Sequence, residues 1–364
     1  MHGGAGRRAV GMWMGLVAAT WPAPGCAPSD PGAQARRPLP TRGVIGGLGE
    51  LPGQFGYPRA IEADASGLWV VDKTGRVQRL DPETGRCLAW WRMPDSQVGK
   101  PVGVTVAPGP EGTPALWVAD THYSRVLVYA LDVVSPAGPD PRMPGEATPR
   151  LITSFGSFGE GPGQFVYPTD VAVVARRGPG GRVWPERVYV SEYGGHDRVS
   201  CFDGELAFQF SFGHYGAGRD LGAPEFDRPQ SLALVPGAGP EPPTLLVADS
   251  RNHRLGRFDL DGRLLGWLGE EAGDDAAGTY RYPYGLCALE DGTVLVAEFG
   301  ANRVQRIEAA TGASLGAWGV AGRGPGELAT PWGVAVHRGW AYVLDSGNNR
   351  VQRFVAPAGA AVRW

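Results

Sequence analysis

The sequence has little cysteine, little histidine and almost no excess of charge. Its 364 residues include 4 Cys and 6 His, and 34 Lys and Arg are set against 37 Asp and Glu. A net charge of −3 offers no basic surface for a polyanion, so we expect no nucleic acid partner. Cys87, Cys201 and Cys287 have neither disulfide nor metal-ligand spacing, which makes small buried apolar residues the better interpretation.

Several motifs that carry chemistry are also missing. The sequence has no phosphate-binding loop of the Walker type, no His-x-His or His-x-x-x-His spacing and no Cys-x-x-Cys-His haem attachment motif. His122, His196 and His253 fall in predicted turns at nearly equivalent positions of a repeat, so they would lie far apart in space. We therefore assign no catalytic residue, no metal ligand and no cofactor from the sequence.

The N-terminal residues 1–26 have the pattern of an export signal. Arg7-Arg8 precede a mostly apolar stretch, residues 11–20, that is too short to span a bilayer permanently. Small residues then lead to Cys26, as in a lipoprotein cleavage site, although ordinary signal-peptidase cleavage is an equal alternative. Residues 27–42 are rich in Pro, Arg and Ala and are predicted to be a flexible tether. We expect export to the periplasm or cell envelope, with membrane attachment only through a lipid on Cys26.

What the sequence has in abundance is glycine and proline, with 57 Gly and 33 Pro punctuating short apolar runs, and this favours an all-β fold. One pattern recurs six times: an apolar strand ends in an acidic residue, and an arginine soon afterwards opens the next strand. The pairs are Asp72 and Arg76, Asp120 and Arg125, Glu192 and Arg198, Asp249 and Arg254, Glu298 and Arg303, and Asp345 and Arg350. Because every repeat has the pair, we interpret it as a structural clamp between carboxylate and guanidinium.

Four antiparallel strands in each repeat predict a blade, and six blades predict a closed β-propeller over residues 43–364. No blade can bury both faces of its sheet alone, so the ring must close. We expect residues 43–46 to supply the outer strand of the last blade, with residues 361–364 as the alternative. Three Pro- or Gly-rich excursions are predicted to be loops within this single domain, namely 132–150, 175–186 and 214–228.

The motifs Pro-x-Gly-Val-Ala-Val, Val-Ala-Asp and Asn-x-Arg-Val-Gln-Arg-Phe resemble the NHL repeat family over nearly all of residues 43–354. Asn252, Asn302 and Asn349 fall where that family often has Asn. The resemblance implies a six-bladed propeller in which the residue after each blade-opening proline lies at the mouth of the central channel. Those residues differ between blades and are Arg59, Val102, Thr169, Gln230, Tyr284 and Trp332.

We take Arg59, Thr169, Gln230, Tyr284 and Trp332 as candidate ligand-binding residues, because function on a symmetric ring is expected where equivalent positions differ. The alternative is that they only plug the channel. Residues 168–173 and 229–236 also look like the peptidyl-hydroxyglycine amidating lyase propeller, which binds zinc through His at such positions. Here Gln230 and Tyr284 are poor zinc donors, so this resemblance supports the fold and argues against the activity.

The sequence therefore predicts a non-catalytic extracytoplasmic binding or scaffold protein, monomeric, that presents a propeller face to a protein, peptide or glycan. The alternative is a metal-dependent hydrolase or lyase with its site at the channel mouth. Sugar lactonases share the shape and use carboxylate ligands at the pore, for which Glu62 or Asp170 are candidates. Structural calcium held by backbone carbonyls in the channel is compatible with either function.

Overall fold

The computed structural model describes Met1, residues 37–131 and 144–269, Ala276 and residues 278–357. Apart from Met1, the predicted signal segment with Cys26 lies outside the described residues, as do residues 361–364. The described chain from residue 37 onward is all-β and contains six four-stranded antiparallel sheets, each forming one blade of a propeller. No helix among the described residues is long and apolar enough to cross a membrane.

Blades 1 to 3 follow each other along the chain, each starting with its innermost strand. Blade 1 contains β2 (Pro58–Asp64), β3 (Gly67–Asp72), β4 (Arg76–Leu80) and β5 (Cys87–Arg92). Blade 2 contains β6 (Gly103–Pro108), β7 (Pro114–Asp120), β8 (Arg125–Ala130) and β9 (Leu151–Phe155). Blade 3 contains β10 (Tyr167–Arg177), β11 (Val183–Tyr193), β12 (Arg198–Asp203) and β13 (Phe208–Phe212).

Blades 4 and 5 repeat this order, and blade 6 takes its outer strand from the start of the described chain. Blade 4 contains β16 (Pro229–Val235), β17 (Thr244–Asp249), β18 (Arg254–Phe258) and β19 (Leu264–Leu268). Blade 5 contains β20 (Pro283–Ala288), β21 (Thr293–Glu298), β22 (Arg303–Glu308) and β23 (Ser314–Trp318). Blade 6 contains β26 (Gly333–His337), β27 (Trp340–Asp345), β28 (Arg350–Val355) and β1 (Thr41–Ile45).

Short elements occupy the connections between these strands. Two-residue parallel bridges join β14 (His214–Tyr215) to β15 (Glu225–Phe226) and β24 (Val320–Ala321) to β25 (Glu327–Leu328). The 3-10 turns are Thr121–Tyr123, Pro179–Gly181 and Ser346–Asn348.

The ring is held together by apolar packing between adjacent blades. Each inner strand contacts the inner strand of the next blade, and β26 returns to contact β2. In the described residues each junction contains its own buried hydrophobic cluster. Between blades 1 and 2, for example, Trp91 packs edge-on against both Trp69 and Tyr129, with ring centroids 6.0 and 5.4 Å apart. Burying both faces of every blade therefore requires all the junctions.

The N-terminal strand closes the ring, as predicted. Strand β1 pairs antiparallel with β28, with Ile45 opposite Val351, so one sheet contains the first and the last strand of the described chain. The strand starts at Thr41, slightly earlier than the sequence suggests, and the Thr41 hydroxyl donates to the carbonyl of Arg353 over 3.2 Å. This joins the last blade to residues that precede the first one.

The excursions differ in part from the sequence prediction. Residues 175–186 are not a simple loop, because β10 and β11 continue through them as a long hairpin closed by a 3-10 turn. The 214–228 segment is a loop that contains the parallel bridge between β14 and β15. Residues 132–143 lie outside the described chain, whereas Pro144 accepts a hydrogen bond from the Trp90 indole at 2.8 Å.

The acid and arginine of every repeat form an ion pair, as the clamp interpretation predicts. The N···O distances lie between 2.6 and 2.8 Å in all six pairs. The arginine also donates to backbone carbonyls in the preceding loop, as Arg254 does to Ala217 at 3.1 Å and to Glu225 at 2.7 Å. Each clamp therefore fixes a loop onto the blade behind it.

Replacing Ile45 with Ala is expected to lower the free energy of unfolding by about 2–4 kcal/mol, because its side chain is buried in the junction of blades 1 and 6. The neighbouring Val44 points outward and is 46% exposed, so Val44→Ala is a matched control with an effect of about 0.5 kcal/mol or less. Urea titration of the two variants measures the difference. Equal stability of the two would mean that β1 does not seal the ring.

Candidate functional site

The inner strands of the six blades surround a narrow central channel. Its cavity has a volume of about 50 Å³ and is lined at one end by the post-proline residues Arg59, Val102, Gln230, Tyr284 and Trp332. Glycines let the strands approach closely: a Cβ on Gly285 would lie 2.6 Å from the Trp332 carbonyl oxygen and from the Gly333 Cα. The channel is thus tight, and blade-specific side chains converge at one mouth.

A backbone irregularity changes the direction of the post-proline side chain in four blades. The register of the inner strand shifts immediately after the proline in four blades, around Arg59, Thr169, Gln230 and Tyr284. An extra residue of this kind leaves the ladder and re-aims its side chain. The position after proline is therefore outside the normal alternation of the strand.

The residue before the proline has an unusual conformation as well. Tyr57, Arg228, Tyr282 and Thr330 have φ values between +45 and +63°, a left-handed region that non-glycine residues seldom adopt. In each case the previous blade accepts a hydrogen bond from that residue's N–H. The bonds run from Tyr57 to Asn349 Oδ1, Arg228 to Asp197 Oδ2, Tyr282 to His253 Nδ1 and Thr330 to Asn302 Oδ1, at 2.6–3.1 Å.

These bonds explain the Asn residues singled out in the sequence. Asn302 and Asn349 hold the next blade, whereas Asn252 donates to Asp249 Oδ2 within its own blade at 2.9 Å. In that blade His253 takes over the junction bond. Its Nδ1 accepts the bond, and burial lowers the pKa of His253, so the ring is neutral.

Two arginines and a set of aromatic rings form the mouth. The Arg59 guanidinium lies 4.8 Å from the centroid of the Trp332 ring and 5.8 Å from that of Tyr57. Across the mouth, Arg228 lies 4.8 Å from the Tyr193 ring and 5.5 Å from the Tyr284 ring. Burial lowers the pKa of Arg59, and the nearby Arg228 charge acts in the same direction.

The candidate residues from the sequence play different parts here. Gln230 is buried, and its Oε1 accepts a hydrogen bond from Arg228 Nε at 2.9 Å, so it orients that arginine. Thr169 is fully buried and does not line the channel. Its hydroxyl lies 2.6 Å from the carbonyl of Pro229 and 2.8 Å from Ser191 Oγ, which makes it a bridge between blades 3 and 4.

Deeper in the channel lie the two carboxyl groups considered from the sequence. Asp170 Oδ2 accepts hydrogen bonds from Ser231 Oγ at 2.8 Å and from the Leu232 N–H at 2.9 Å, while Glu62 accepts one from its neighbour Ala63. Burial raises the pKa of Glu62 to about 8 and that of Asp170 to about 7. Around neutral pH both groups are therefore partly protonated.

No group of three or more His, Cys, Asp or Glu side chains in the described residues is placed to hold a metal ion. Cys87 and Cys201 are buried, and Cys287 on the inner strand β20 is half-buried. Burial raises the pKa of all three thiols. The segment from Gly312 to Gly316 matches a Gly-x-Ser-x-Gly pattern, but it forms a hairpin turn and the outer strand β23. It is not the strand-to-helix elbow that exposes a nucleophile.

Comparison with known sequences identifies the repeat. The family described as the NHL repeat matches residues 328–354, which include β26, β27, β28 and the clamp between Asp345 and Arg350. This chain is a six-bladed β-propeller whose last blade matches the NHL repeat. No curated protein sequence gives a significant match to it.

Solved structures similar to this propeller share its fold at low sequence identity. A streptogramin B lyase is 13% identical with a TM-score of 0.51, covering 86% of this chain and 87% of the lyase. A catalytically inactive virginiamycin B lyase from Staphylococcus aureus, solved with quinupristin, is 12% identical with a TM-score of 0.51, and the coverage is 88% and 86%. Raptor from Chaetomium thermophilum is 12% identical with a TM-score of 0.53, covering 90% of this chain but 30% of Raptor.

The sequence does not predict every residue at the mouth of this propeller. Tyr57 and Arg228 precede the prolines, and Tyr193 and Phe299 follow the clamp acids. Both positions vary between repeats, just as the post-proline position does, and that variation is the available signal. The left-handed backbone that brings Tyr57 and Arg228 inward has no signature in residue type.

Replacing Glu62 with Gln is expected to change how stability depends on pH. Because the folded pKa of Glu62, about 8, exceeds its ordinary value, folding is favoured by protonation, and this contribution is lost as pH rises through 8. Glu62→Gln should therefore be more stable than the wild type at pH 9, by a margin that disappears near pH 5. Thermal melts across this range measure it. The control is Glu186→Gln, at an exposed position, which should keep the wild-type pH dependence of stability. If Glu62→Gln kept it as well, the raised pKa of Glu62 would be contradicted.

Proposed function

We propose that this propeller is a binding protein whose ligand sits at the channel mouth defined by Arg59 and Arg228. The observation that carries the proposal is the convergence of non-repeated side chains at one end of a repeated scaffold. Clamps, cores and strand ladders recur in every blade, whereas the residue types at the mouth vary from blade to blade. Binding sites are concave and furnished with a few convergent polar groups, and this mouth has both features.

The aromatic rings give the mouth a rigid wall. Tyr284 stacks on Phe299 with centroids 4.7 Å apart, and Trp332 stands edge-on to Tyr284 at 5.0 Å. Tyr and Trp supply large contact area with few rotatable bonds, which is why they concentrate the energy of recognition sites. A protein, peptide or glycan that covers the mouth would meet a surface already in its binding conformation.

A catalytic alternative is favoured by one observation, the carboxyl pair in the channel. The pKa of Glu62 at about 8 and of Asp170 at about 7 would suit general acid–base work near neutral pH. Metal-dependent hydrolysis or lysis would need further ligands, and in the described part of the chain these two carboxylates have no third metal-binding side chain beside them. A binding function therefore needs fewer additional groups at the site than metal-dependent catalysis does.

Replacing Tyr193 with Ala is expected to weaken ligand binding about tenfold, because the variant removes an aromatic wall of the mouth and the ring beneath Arg228. The probes are a random heptapeptide library and a glycan array, applied to the full chain, with titration of the selected probes. Tyr215→Ala is the matched control, since Tyr215 is 57% exposed and does not line the channel.

Two outcomes would contradict the binding function. One is equal loss of binding in the Tyr193 and Tyr215 variants. The other is recovery of the selected probe in a chemically altered form together with stoichiometric zinc or calcium in the purified protein. The second result would favour a hydrolase or lyase, particularly if the metal were lost in Glu62→Gln.

The protein is further proposed to act outside the cytoplasm, on the basis of the export pattern in residues 1–26. If Cys26 is lipidated, Cys26→Ser should release the protein from the membrane fraction of an expressing bacterium into the soluble periplasmic fraction, with loss of labelled palmitate. Cys201→Ser is the control, because Cys201 is buried in the propeller. An unlabelled wild-type protein in the soluble periplasm would instead indicate ordinary signal-peptidase cleavage, and retention in the cytoplasm would overturn export.

A further inference from the structure

The charge of the two mouth arginines is not compensated. Every clamp arginine has a carboxylate at 2.6–2.8 Å, but among the described residues neither Arg59 nor Arg228 forms an ion pair. Two acids lie near Arg228: Asp227 precedes it in the chain, and Asp197 accepts its backbone N–H. Both already have other partners. Asp227 pairs with Arg251 at 3.4 Å, and Asp197 accepts the N–H groups of Gly194, Gly195 and Arg228.

Other charges near the mouth do not reverse this balance. Burial lowers the pKa of His122, and the positive charges of Lys100 and Arg59 lower it further. Lys100 is therefore a third cation on the same side as the two arginines. The carboxyl groups deeper in the channel, Glu62 and Asp170, are held by local hydrogen bonds and are not ion-paired with either arginine in the described chain. The mouth is consequently cationic.

The mouth also has hydrogen-bond donors without acceptors. The Trp332 side chain is 7% exposed, and its indole N–H has no partner among the described residues; the buried Nε–H of Arg59 has none either. An unpaired buried donor costs free energy, so such a set favours a ligand that brings acceptor atoms. Guanidinium and indole groups have donors only, which matches the oxygens of a carboxylate or phosphate.

The size of the channel limits how much of a ligand can enter. A cavity of about 50 Å³ has room for a small head group but not for a whole peptide or sugar. The remainder of the ligand would lie on the rim, beside Tyr193, Tyr284 and Phe299. Flat apolar groups pack well against such rings in stacked or edge-on geometry.

We infer that the mouth binds a terminal oxyanion, a carboxylate or a phosphate monoester, carried on a flat apolar group. The inference rests on the proposed binding function and adds to it the chemical class of the ligand. The oxyanion would sit between Arg59, Arg228 and the Trp332 indole, and the apolar group would cover the aromatic rim.

Three small probes test this inference directly. N-acetylphenylalanine has the carboxylate, N-acetylphenylalaninamide has the same shape without the charge, and phenyl phosphate distinguishes a phosphate site from a carboxylate site. Calorimetric titration of the full chain should show one of the two anions binding at least about tenfold more tightly than the amide. The anion that binds more tightly shows whether the head group of the ligand is a carboxylate or a phosphate.

Substitutions then locate the binding. Arg59→Gln and Arg228→Gln should each weaken the preferred anion about tenfold and leave the amide unchanged, while Arg228→Lys should recover part of the loss. Arg177→Gln is the matched control, because Arg177 is exposed at the far end of β10 and does not line the channel. Circular dichroism and thermal melts check that each variant is folded.

A second measurement needs no variant. Raising the salt concentration from about 50 mM to about 500 mM should weaken the anion but not the amide, because only the former depends on unscreened charge. Equal binding of anion and amide, with loss in Tyr193→Ala, would overturn the oxyanion while leaving the binding function intact. If none of the three probes binds, the inference is overturned, and the library selection decides separately whether the mouth binds anything.

Discussion

The structure depends on burying a charge pair in each blade. Asp249 and Arg254 have side chains that are 0% and 1% exposed, and such charges are tolerated in an interior only when they are paired and fully hydrogen-bonded. The arginine uses its remaining donors on loop carbonyls. The acid accepts an N–H from the residue that lies two positions before the proline opening its own blade. Asp249 in this way accepts the Asp227 N–H at 2.8 Å, which places Arg228. The clamp therefore positions the mouth as well as the blade.

The same bond recurs where the clamp is complete. The carboxylates of Asp72, Glu192, Glu298 and Asp345 accept the N–H groups of Gly56, Val166, Arg281 and Ala329. Blade 2 is the exception, because Asp120 Oδ1 is buried without a partner among the described residues and burial raises the pKa of Asp120 to about 6. That blade lacks the Gly-rich loop before its inner strand, and Arg125 donates instead to the Pro94 carbonyl at 3.2 Å. At the post-proline position, blade 2 gives the mouth Val102, an apolar side chain.

Much of this architecture could be predicted from the sequence, since a repeated requirement leaves a repeated residue. The acid–arginine pairs, the strand order and the closing strand near residues 43–46 all follow from such repetition. The sequence predicts a loop in place of the long hairpin of β10 and β11, because Gly and Pro around residues 178–181 look like the start of an excursion. In the fold these residues form only the tip of the hairpin. The two strands stay paired up to that tip, with Ala175 opposite Pro185 and Arg177 opposite Val183.

The candidate site is harder to predict, because its geometry comes from backbone conformations that residue type does not specify. Variation after the proline points to Arg59, Gln230, Tyr284 and Trp332, and these do line the channel. It also points to Thr169, which is turned between blades, because a small hydroxyl can bond to the Pro229 carbonyl at 2.6 Å where a long side chain could not fit. A bulge can send one side chain into the channel and another between blades.

The contrast between two kinds of arginine connects the fold to its use. In the clamps, the repeat supplies an acid at a fixed distance along the chain, and the guanidinium becomes part of the interior. At Arg59 and Arg228 the described residues form no ion pair, and aromatic faces stabilise the cations without neutralising them. Protonation of Glu62 and Asp170 near neutral pH also limits the negative charge beneath them. The same side chain is therefore structural where the repeat is kept, and where the repeat is broken it becomes the group on which the proposed ligand site depends.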